Sequence, residues 1–494
     1  MYSLGIDIGS SSVKVSLLDV AGVKCVASAT NPKSEAPITA LRKGWAEQSP
    51  DMWWIFIQRG IAEITAAGFQ MAEVGCIGIT YQMHGLVAVD ASGKPVRDSI
   101  IWCDSRAVET GAKAFEGIGK DRCLEHLLGS PGNFTASKLA WVKENEPEVF
   151  RRIRRFMLPG DYIAYKLSGV ISTTETGLSE QMLWDFREGR RADFVADYYG
   201  IPHEMIPETV PSIGIQAHTS AAIQDLLGIP EGTPISYRAG DQPNNAFSLG
   251  VLQPGEIAAT GGTSGVVYGV TDEPKYDPLS RVNTFLHVNH TSEEPRLGVL
   301  LCINGTGILN SWIRHNVCPE LSYSAMNELA AQAPAGCDGL TVMPFGNGAE
   351  RVLSGSFTGA AFEGIDLVRH SRAHLLRGAQ EGIAFSFLYG IEIMRDLGLS
   401  PSVIRAGRAN LFLSPLFRQT LATIVDARIE LFDTDGSLGA ARGAALGAGF
   451  YKDSAEAFAS LGRVGVTIPE DGWKAALNDA YARWKSNLES TLNK

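Results

Sequence analysis

The sequence predicts an α/β protein built from two domains of similar size. The chain has 494 residues, which is more than a single hydrophobic core usually serves. Two segments about 255 residues apart read as strand, turn rich in glycine and hydroxyl groups, strand, and helical segments follow each of them. With Pro254-Gly255 as the boundary, the predicted domains are 1–253 and 254–494. The repeated hairpin indicates an internal duplication.

The composition excludes several classes of protein. Hydrophobic residues make up 45% and charged residues 20% of the chain, and the net charge is -11, which argues against general nucleic-acid binding but not against a nucleotide. The seven cysteines form no Cys-x-x-Cys pair, so they predict scattered thiols in a reducing compartment. No uncharged stretch reaches the roughly 18 residues of a membrane span. We therefore expect a cytoplasmic protein that does not enter a membrane.

The first hairpin excludes two common nucleotide-binding folds. Leu4, Ile6 and Ile8 alternate before the turn and Val13, Val15 and Leu17 alternate after it, which is the period of a strand on both sides. A P-loop and a Rossmann turn each lead into a helix, and the chain contains no Gly-x-x-x-x-Gly-Lys-Ser/Thr sequence. Further strands are predicted at 74–80, 86–89 and 100–102, and helices at 49–66, 136–145, 162–167, 321–333, 374–397, 415–425 and 473–492.

Each Gly-rich turn has the composition of a phosphate-binding turn. The first, Asp7-Ile-Gly-Ser-Ser-Ser-Val-Lys14, offers backbone N–H groups and the hydroxyls of Ser10 and Ser11. Asp7 could hold Mg²⁺ through water, and Lys14 could neutralise a phosphate. The second turn, Thr260-Gly-Gly-Thr-Ser-Gly265, offers the same groups. Each turn alone could equally be an ordinary polar hairpin, and it is the pair that favours a phosphotransferase.

Asp241 is the candidate general base. It lies in Gly240-Asp-Gln-Pro-Asn-Asn-Ala246, among small and amide residues, between the two turns. A carboxylate that touches an acceptor alcohol can orient it and accept its proton late, since phosphoryl transfer needs little early proton removal. The alternative is a loop carboxylate that caps Asn244 or Asn245.

Two polar stretches follow predicted strands. In Tyr81-Gln-Met-His-Gly85, Gln82 and His84 could hydrogen-bond sugar hydroxyls, although a single histidine is often structural. A metal role is not expected for His84, because no second His or Cys lies at ligand spacing. In Trp102-Cys-Asp-Ser-Arg106, Asp104 and Arg106 could pair with each other and shape the floor of a site.

Along nearly its whole length the chain resembles the FGGY carbohydrate kinases, which belong to the actin-like ATPase superfamily. The resemblance rests on motifs in the order of the family. They are Asp7-Ile-Gly-Ser-Ser-Ser-Val-Lys14, Gln82-Met-His-Gly85, Trp102-Cys-Asp-Ser-Arg106, Thr135-Ala-Ser-Lys-Leu-Ala-Trp-Val-Lys-Glu-Asn145, Leu158-Pro-Gly-Asp-Tyr-Ile163, Gly240-Asp-Gln242, Thr260-Gly-Gly-Thr-Ser264, Gln380-Glu-Gly-Ile-Ala384 and Leu438-Gly-Ala-Ala-Arg-Gly-Ala444.

The resemblance implies a fold of two actin-like (ribonuclease H-like) ATPase domains with a central cleft, with ATP and Mg²⁺ as cofactors. It also implies roles for particular residues. Gln82, Met83, His84 and Asp104 would contact the sugar, Asp241 would accept its proton, and Asp7 would position Mg²⁺. ATP would be held by Ser10, Ser11, Lys14, Gly262, Thr263, Ser264, Gly407, Arg408 and Asn410. A homodimer is a further expectation from the family.

The motif Gln82-Met-His-Gly85 resembles that of the xylulose kinases in this family. The expected reaction is therefore ATP plus D-xylulose giving D-xylulose 5-phosphate and ADP. Gly240-Asp-Gln242 is more similar to glycerol kinases, so another ketose, polyol or sugar acid (L-ribulose, glycerol, gluconate) stays open as acceptor, as does a sugar-responsive protein without catalysis. One departure from the family is Ala406-Gly-Arg-Ala-Asn410, where Arg408 replaces a glycine and would either point to solvent or stack on the adenine.

Overall fold

A computed structural model of the protein describes residues 1–493 and divides into two compact units. The first unit combines Met1–Gly250 with two later segments, Phe285–Leu297 and Thr434–Leu461. The second unit consists of Val251–Thr284, Gly298–Asp433 and the chain from Gly462 onwards. Among these residues, no helix has both the length and the apolar character needed to cross a membrane.

The strands, in chain order, are β1 (Tyr2–Ile8), β2 (Val13–Asp19), β3 (Lys24–Asn31), β4 (Glu47–Gln48), β5 (Val74–Tyr81), β6 (Val87–Val89), β7 (Ser99–Ile100), β8 (Arg155–Met157), β9 (Thr173–Thr174), β10 (Trp184–Asp185), β11 (Arg190–Arg191), β12 (Thr209–Val210), β13 (Ile213–His218), β14 (Pro234–Gly240), β15 (Ile257–Gly261), β16 (Gly265–Thr271), β17 (Asn283–Leu286), β18 (Leu297–Ile303), β19 (Thr341–Phe345), β20 (Gly359–Glu363), β21 (Val403–Gly407), β22 (Arg428–Phe432) and β23 (Arg463–Thr467).

The α-helices are α1 (Pro50–Ala66), α2 (Val108–Ile118), α3 (Lys120–Leu127), α4 (Thr135–Asn145), α5 (Pro147–Arg152), α6 (Pro159–Ser168), α7 (Glu175–Glu180), α8 (Asp193–Tyr199), α9 (Ala221–Leu227), α10 (Asp241–Ser248), α11 (Gly307–Asn316), α12 (Tyr323–Ala330), α13 (Arg372–Asp396), α14 (Pro415–Val425), α15 (Gly436–Gly447), α16 (Ser454–Ala457) and α17 (Asp471–Leu492).

The repeated hairpin extends to two whole sheets. The first sheet has the order β13-β14-β5-β1-β2-β3, and the second has the order β17-β18-β16-β15-β21-β22-β23. In each sheet an antiparallel hairpin (β1 with β2, β15 with β16) continues into two parallel strands and ends on an antiparallel edge strand. The α/β class, with mixed sheets and helices, is confirmed.

Helix α15 belongs to the first unit because it packs directly on the first sheet. Its sequence, Gly436-Ser-Leu-Gly-Ala-Ala-Arg-Gly-Ala-Ala-Leu-Gly447, is almost entirely small residues. A Cβ atom on Gly5 of β1 or Gly78 of β5 would overlap the main chain of this helix. The hydroxyl of Ser3 donates to Ala441 O at 2.7 Å, and that of Ser236 to Ala444 O at 2.7 Å. Small residues on both surfaces therefore allow backbone-to-backbone packing.

This packing makes β1 buried on both faces. Leu4, Ile6 and Ile8 point into the apolar core that includes α1, whereas Ser3 and Gly5 face α15. Side chains alternate along a strand, so Asp7 also lies on the face of α15. The strand register pairs Asp7 with Lys14 of β2 and with Thr80 of β5. The strand pairing therefore places Asp7, the predicted Mg²⁺ ligand, beside Lys14, which is predicted to contact a phosphate.

The structure differs from the predicted domain boundary and also bears on the alternative role of Asp241 as a loop carboxylate. The segments Phe285–Leu297 and Thr434–Leu461 lie in the first unit, although the predicted boundary assigned them to the domain 254–494. Asp241 is the first residue of α10 and not a loop residue, and the Asn244 side chain bonds to Tyr237 and Gly436. For Thr434–Leu461, the packing of the small residues of α15 on the first sheet accounts for the placement, and such packing leaves no periodic signal in the sequence.

Candidate active site

Asp241 stands at the corner where β14 ends and α10 begins. Its carboxylate keeps some surface that water can reach, yet protein atoms surround it densely. This burial raises the pKa of Asp241 to about 6, although hydrogen bonds from Gln242 act to lower it. At neutral pH the group is thus mainly ionised but is a better proton acceptor than an exposed aspartate.

Asp7 lies close enough to Asp241 and Asp435 for their charges to interact. Burial, with the charges of Asp241 and Asp435, raises the pKa of Asp7 to about 7, while Lys14 acts to lower it. A Cβ on Gly436 would overlap the Asp7 carboxylate, so only glycine allows the start of α15 to approach. The site therefore has an excess of negative charge.

Lys14 forms an ion pair with Asp435, with 2.6 Å between Nζ and Oδ2. The other oxygen of Asp435 accepts the N–H of Leu438 at 3.0 Å and the hydroxyl of Ser437 at 2.7 Å. Asp435 is thus the N-cap of α15 and also the partner of Lys14. Ser10 and Ser11 lie in the turn before Lys14, with Ser10 half-buried and Ser11 exposed.

Gln82, Met83 and His84 follow β5 directly and are placed differently from one another. Gln82 is 2% exposed, and its Nε2 donates to Gln48 Oε1 at 3.0 Å. Met83 packs on the residue before Asp241, because a Cβ on Gly240 would lie 2.5 Å from Met83 Cγ. The predicted sugar-contacting segment and the predicted base therefore meet at Gly240.

His84 has a positive φ of 61°, which is uncommon for a residue with a side chain. Its Nδ1 lies 3.1 Å from the main-chain oxygen of Glu180. A carbonyl oxygen only accepts, so Nδ1 carries a proton, and in the neutral ring Nε2 is an acceptor. The ring packs against Phe134 and Phe285, with centroid distances of 4.6 and 5.5 Å. Nε2, as a hydrogen-bond acceptor next to aromatic rings, could accept a hydrogen bond from a sugar hydroxyl.

Asp104 and Arg106 form the ion pair that the sequence suggested, with 2.6 Å between Asp104 Oδ2 and Arg106 Nη2. Asp104 is fully buried, and its carboxylate also accepts the N–H of Ala46 at 2.6 Å. These bonds fix the loop that follows β7. Contact of Asp104 with a sugar would require this pairing to open, and such contact stays a prediction.

Glu180 and Lys138 are site residues that the sequence analysis missed. Glu180 is 2% exposed, and its Oε1 accepts the main-chain N–H of His84 at 3.4 Å. Burial raises the pKa of Glu180 well above its usual value. Lys138 donates to His84 O at 2.8 Å, and burial lowers its pKa to about 7. No sequence signal singled out this carboxyl group and this amine, because Glu180 lies between Ser179 and Gln181 and Lys138 follows Ser137.

A cavity of about 470 Å³ lies within the second unit, beside its Gly-rich turn. Of the predicted nucleotide contacts, Gly262, Thr263 and Asn410 line this cavity, whereas Ser264, Gly407 and Arg408 are not among its lining residues. The Arg408 side chain is exposed. The sequence analysis missed further lining residues: Gly261, Gly307, Ile308, Asn310, Ser311, Tyr323, Asn327, Leu411, Leu413 and Ser414.

The walls of this cavity are fixed from behind by hydrogen bonds. Gln380 of α13 donates from Nε2 to Asn327 Oδ1 at 2.9 Å and accepts the hydroxyl of Ser414 at 2.8 Å. The N–H of Gly307 donates to Gly262 O at 3.1 Å. A glycine-rich segment, Asn304-Gly-Thr-Gly307, was the sequence signal that could have identified this side of the cavity.

Known proteins resemble the chain over almost its full length. A xylulose kinase of Bacillus subtilis is 28% identical over 466 residues, which cover 92% of this chain and 90% of that protein. The solved structure of a ligand-bound xylulose kinase from Lactobacillus acidophilus has a TM-score of 0.90 at 22% identity, with 99% and 98% of the two chains covered. A gluconate kinase from the same organism also has a TM-score of 0.90, at 21% identity, with 99% and 98% of the two chains covered. These structures share the fold whatever their acceptor.

Two family models match consecutive parts of the chain. The N-terminal domain of the FGGY family of carbohydrate kinases matches residues 2–248, and the C-terminal domain of the same family matches residues 257–450. The first match contains the Asp7 hairpin, the His84 segment and Asp241, and the second contains the turn beside the cavity. The chain belongs to the FGGY family of carbohydrate kinases and is an ATP-dependent carbohydrate kinase.

Proposed function

We propose that the protein transfers the γ-phosphoryl group of ATP to D-xylulose, giving D-xylulose 5-phosphate and ADP, with Asp241 as general base. This proposal rests mainly on the packing of Met83 against Gly240. That packing places the segment predicted to contact the sugar next to the residue that precedes the base. The matched protein from Bacillus subtilis bears the name xylulose kinase, and this name supports D-xylulose as the acceptor.

The chemistry assigns a separate role to each side chain. The hydroxyl at C5 of the sugar would donate to the Asp241 carboxylate, and its oxygen would bond to the γ-phosphorus as the bond from phosphorus to the ADP oxygen breaks. Asp241 would take the proton late in this step. His84 Nε2, as the acceptor nitrogen, would hold another hydroxyl and so orient the sugar.

The carboxylates around Asp7 fit a hydrated magnesium ion. In residues 1–493 there is no group of three or more His, Cys, Asp or Glu side chains that could hold a metal ion, so a closed protein cage is not the expected form. Mg²⁺ usually keeps several waters and binds one or two carboxylates together with substrate phosphates. The mutual repulsion of Asp7, Asp241 and Asp435 would favour such an ion, which supplies charge neutralisation to the phosphates. Asp7 is its proposed anchor.

Residues on both Gly-rich turns would hold the phosphates of ATP. The proposed contacts are Ser10 and Ser11 of the turn after β1, Lys14 of β2, and Gly262, Thr263 and Ser264 of the turn after β15. The cavity lined by Asn410 would hold the nucleoside. Because the Arg408 side chain is exposed and is not among the lining residues, we assign it the solvent-facing alternative.

The test is ADP release with Mg-ATP across D-xylulose, L-xylulose, D-ribulose, L-ribulose, glycerol and gluconate. The expected result is a clear preference in kcat/KM for D-xylulose. A preference for another acceptor would overturn the substrate while leaving the family unchanged. The product would be identified by the position of its phosphate, since phosphorylation at a carbon other than C5 would contradict the proposed orientation of the sugar.

A further inference from the structure

Glu180 is buried at the point where the two parts of the proposed acceptor site meet. It is the last residue of α7, a helix whose N-cap hydroxyl on Thr174 accepts the N–H of Gly177 at 2.9 Å. The hydroxyl of the preceding residue, Ser179, accepts the N–H of Leu286 at 3.0 Å. Leu286 adjoins Phe285, which packs on the His84 ring. The end of α7 is therefore anchored beside His84 independently of the Glu180 carboxyl group.

The first oxygen of the Glu180 carboxyl group holds the His84 turn. Oε1 accepts the His84 N–H at 3.4 Å, the Glu180 main-chain oxygen lies 3.1 Å from Nδ1 of the ring, and Lys138 donates to the His84 carbonyl at 2.8 Å. The positive φ of His84 is a conformation that a non-glycine residue keeps only when its surroundings impose it. The Glu180 side chain is one of the groups that impose it.

The second oxygen lies against Gly240, the residue before the base. A Cβ on Gly240 would lie 2.6 Å from Glu180 Oε2 and 2.5 Å from Met83 Cγ, so the carboxyl group and Met83 are packed together against the residue before Asp241. One side chain thus touches both the turn that would read the sugar and the corner that carries the base. Longer or displaced groups at position 180 would change the spacing between them.

We propose that Glu180 is a positioning and specificity-determining residue. Its carboxyl group connects the Met83–His84 turn to Gly240 and so fixes the distance between His84, which would bind the sugar, and the base Asp241. This inference rests on the proposed function of that site. Burial raises the pKa of Glu180 well above its usual value, as do the carboxylates of Asp161 and Asp241, whereas the hydrogen bond from the His84 N–H and the charge of Lys138 act to lower it. Glutamine keeps the size of the side chain and one acceptor oxygen, so it is the conservative replacement.

The test compares Glu180→Gln, Glu180→Ala and Glu180→Leu in the full-length protein. KM for the acceptor, KM for ATP and kcat are measured with the acceptor that the unchanged protein uses best. We expect Ala and Leu to raise the acceptor KM at least about 10-fold and to leave the KM for ATP within about twofold, because the cavity of the second unit is not altered. Glutamine keeps the oxygen that accepts the His84 N–H, so its acceptor KM should stay within about threefold.

Asp185→Asn is the matched control. Asp185 is a buried carboxylate of the same unit that also accepts main-chain N–H groups, from Arg187 and Glu188 at 3.1 and 3.0 Å, and lies 2.9 Å from a histidine nitrogen, Nδ1 of His126. We expect this control to lower the thermal midpoint without changing the acceptor KM. Leucine fills the space of Glu180 without a polar atom. The Glu180→Leu variant therefore provides the test if Glu180→Ala fails to fold.

Three results would overturn the assignment: an unchanged acceptor KM in Glu180→Leu, equal increases of both KM values, or a glutamine variant as impaired as leucine. The preference among acceptors should also change in Glu180→Leu, since the spacing of the reading groups changes. Because the unchanged protein is first measured on all acceptors, a preference other than D-xylulose would contradict the proposed substrate alone. Calorimetric titration of the acceptor without nucleotide supplies the same comparison independently of turnover.

Discussion

Lys14 and Asp435 are joined by an ion pair of 2.6 Å although 421 residues separate them in the chain. The pair links the turn of the first hairpin to the N-cap of α15. Lys14 therefore has a partner within the protein, and a phosphate group at this turn would have to compete with Asp435 for the ammonium group. The contributions of Lys14 and Asp435 to ATP binding can therefore be distinguished by mutating each residue separately.

We predict that Lys14→Met raises the KM for ATP about 10-fold and leaves the acceptor KM within about twofold, because the lost cation would face a phosphate. Asp435→Asn is the matched control: asparagine is also a good N-cap and Lys14 is retained, so the KM for ATP should change less than about threefold. Initial rates at varied ATP measure both. Equal defects in the two variants would assign the effect to the ion pair and not to a phosphate contact.

Asp241→Asn should lower kcat by at least about 100-fold, because asparagine cannot accept the proton of the acceptor hydroxyl. The affinity for the sugar should change little, since the amide keeps the size and one acceptor oxygen. Asp225→Asn, at an exposed position of α9, is the control for a change of charge in the same unit. Turnover near that of the unchanged protein would remove Asp241 from the mechanism.

The rate should depend on pH through the same carboxylate. Burial raises the pKa of Asp241 to about 6, and a general base works only when deprotonated, so kcat should be full above this pH and fall about tenfold per unit below it. The effect on stability has the opposite sign: a raised carboxyl pKa stabilises the folded state at low pH, and this contribution is lost as pH rises through about 6. Circular dichroism should therefore show a folded protein where the rate has already fallen; simultaneous unfolding would refute this origin of the pH dependence.

Gly240→Ala should disturb the acceptor site, because the new Cβ would lie within 2.6 Å of both Met83 and Glu180 atoms. We expect an acceptor KM raised at least about 10-fold and a stability loss of about 1–3 kcal/mol. At Gly129, in the same unit, a Cβ would meet Met182 Cε at 3.7 Å, an ordinary contact, so Gly129→Ala is the control. Acceptor titration and urea unfolding report the two effects, and equal behaviour of the two alanine variants would argue against a tight site at Gly240.

Arg408→Gly should leave the KM for ATP and the preference for adenine over guanine nucleotides within about twofold, since its side chain is exposed and is not among the residues that line the second-unit cavity. Asn410→Ala, at a lining position, should raise the KM for ATP by more. A larger change in nucleotide preference for Arg408→Gly than for Asn410→Ala would instead favour stacking of the guanidinium on the base.

Local patterns made much of the fold predictable. The alternation of Leu4, Ile6 and Ile8 gave the first hairpin, and Pro415 gave the start of α14 at the predicted residue. The membership of α15 in the first unit was not predictable in the same way, because its small residues carry no periodicity and acquire meaning only against Gly5 and Gly78. Packing between distant segments decides such placements.

For the candidate site, too, some residues could be predicted from the sequence and others only from the packing. Motif order pointed to Asp7, His84 and Asp241, and their joint role in one site stays a prediction. In the structure Asp7 lies near Asp241, and Met83, which precedes His84, packs against Gly240. Motif order did not single out Glu180, because a carboxyl group becomes a site residue here only through the positive φ of His84 and the missing side chain of Gly240. Backbone conformation at one residue and close approach at another are not properties of a sequence motif.

The packing of α15 also has a consequence for synthesis on the ribosome. Ser3 and its helix partner Ala441 lie 438 residues apart, so at about 5–20 residues per second roughly 20–90 s pass between their synthesis. During that interval one face of the first sheet, with Gly5 and Gly78 bare of side chains, has no native covering. The first unit therefore reaches its final form only after α15 has been synthesised, and until then the nascent chain exposes a surface to which chaperones could bind.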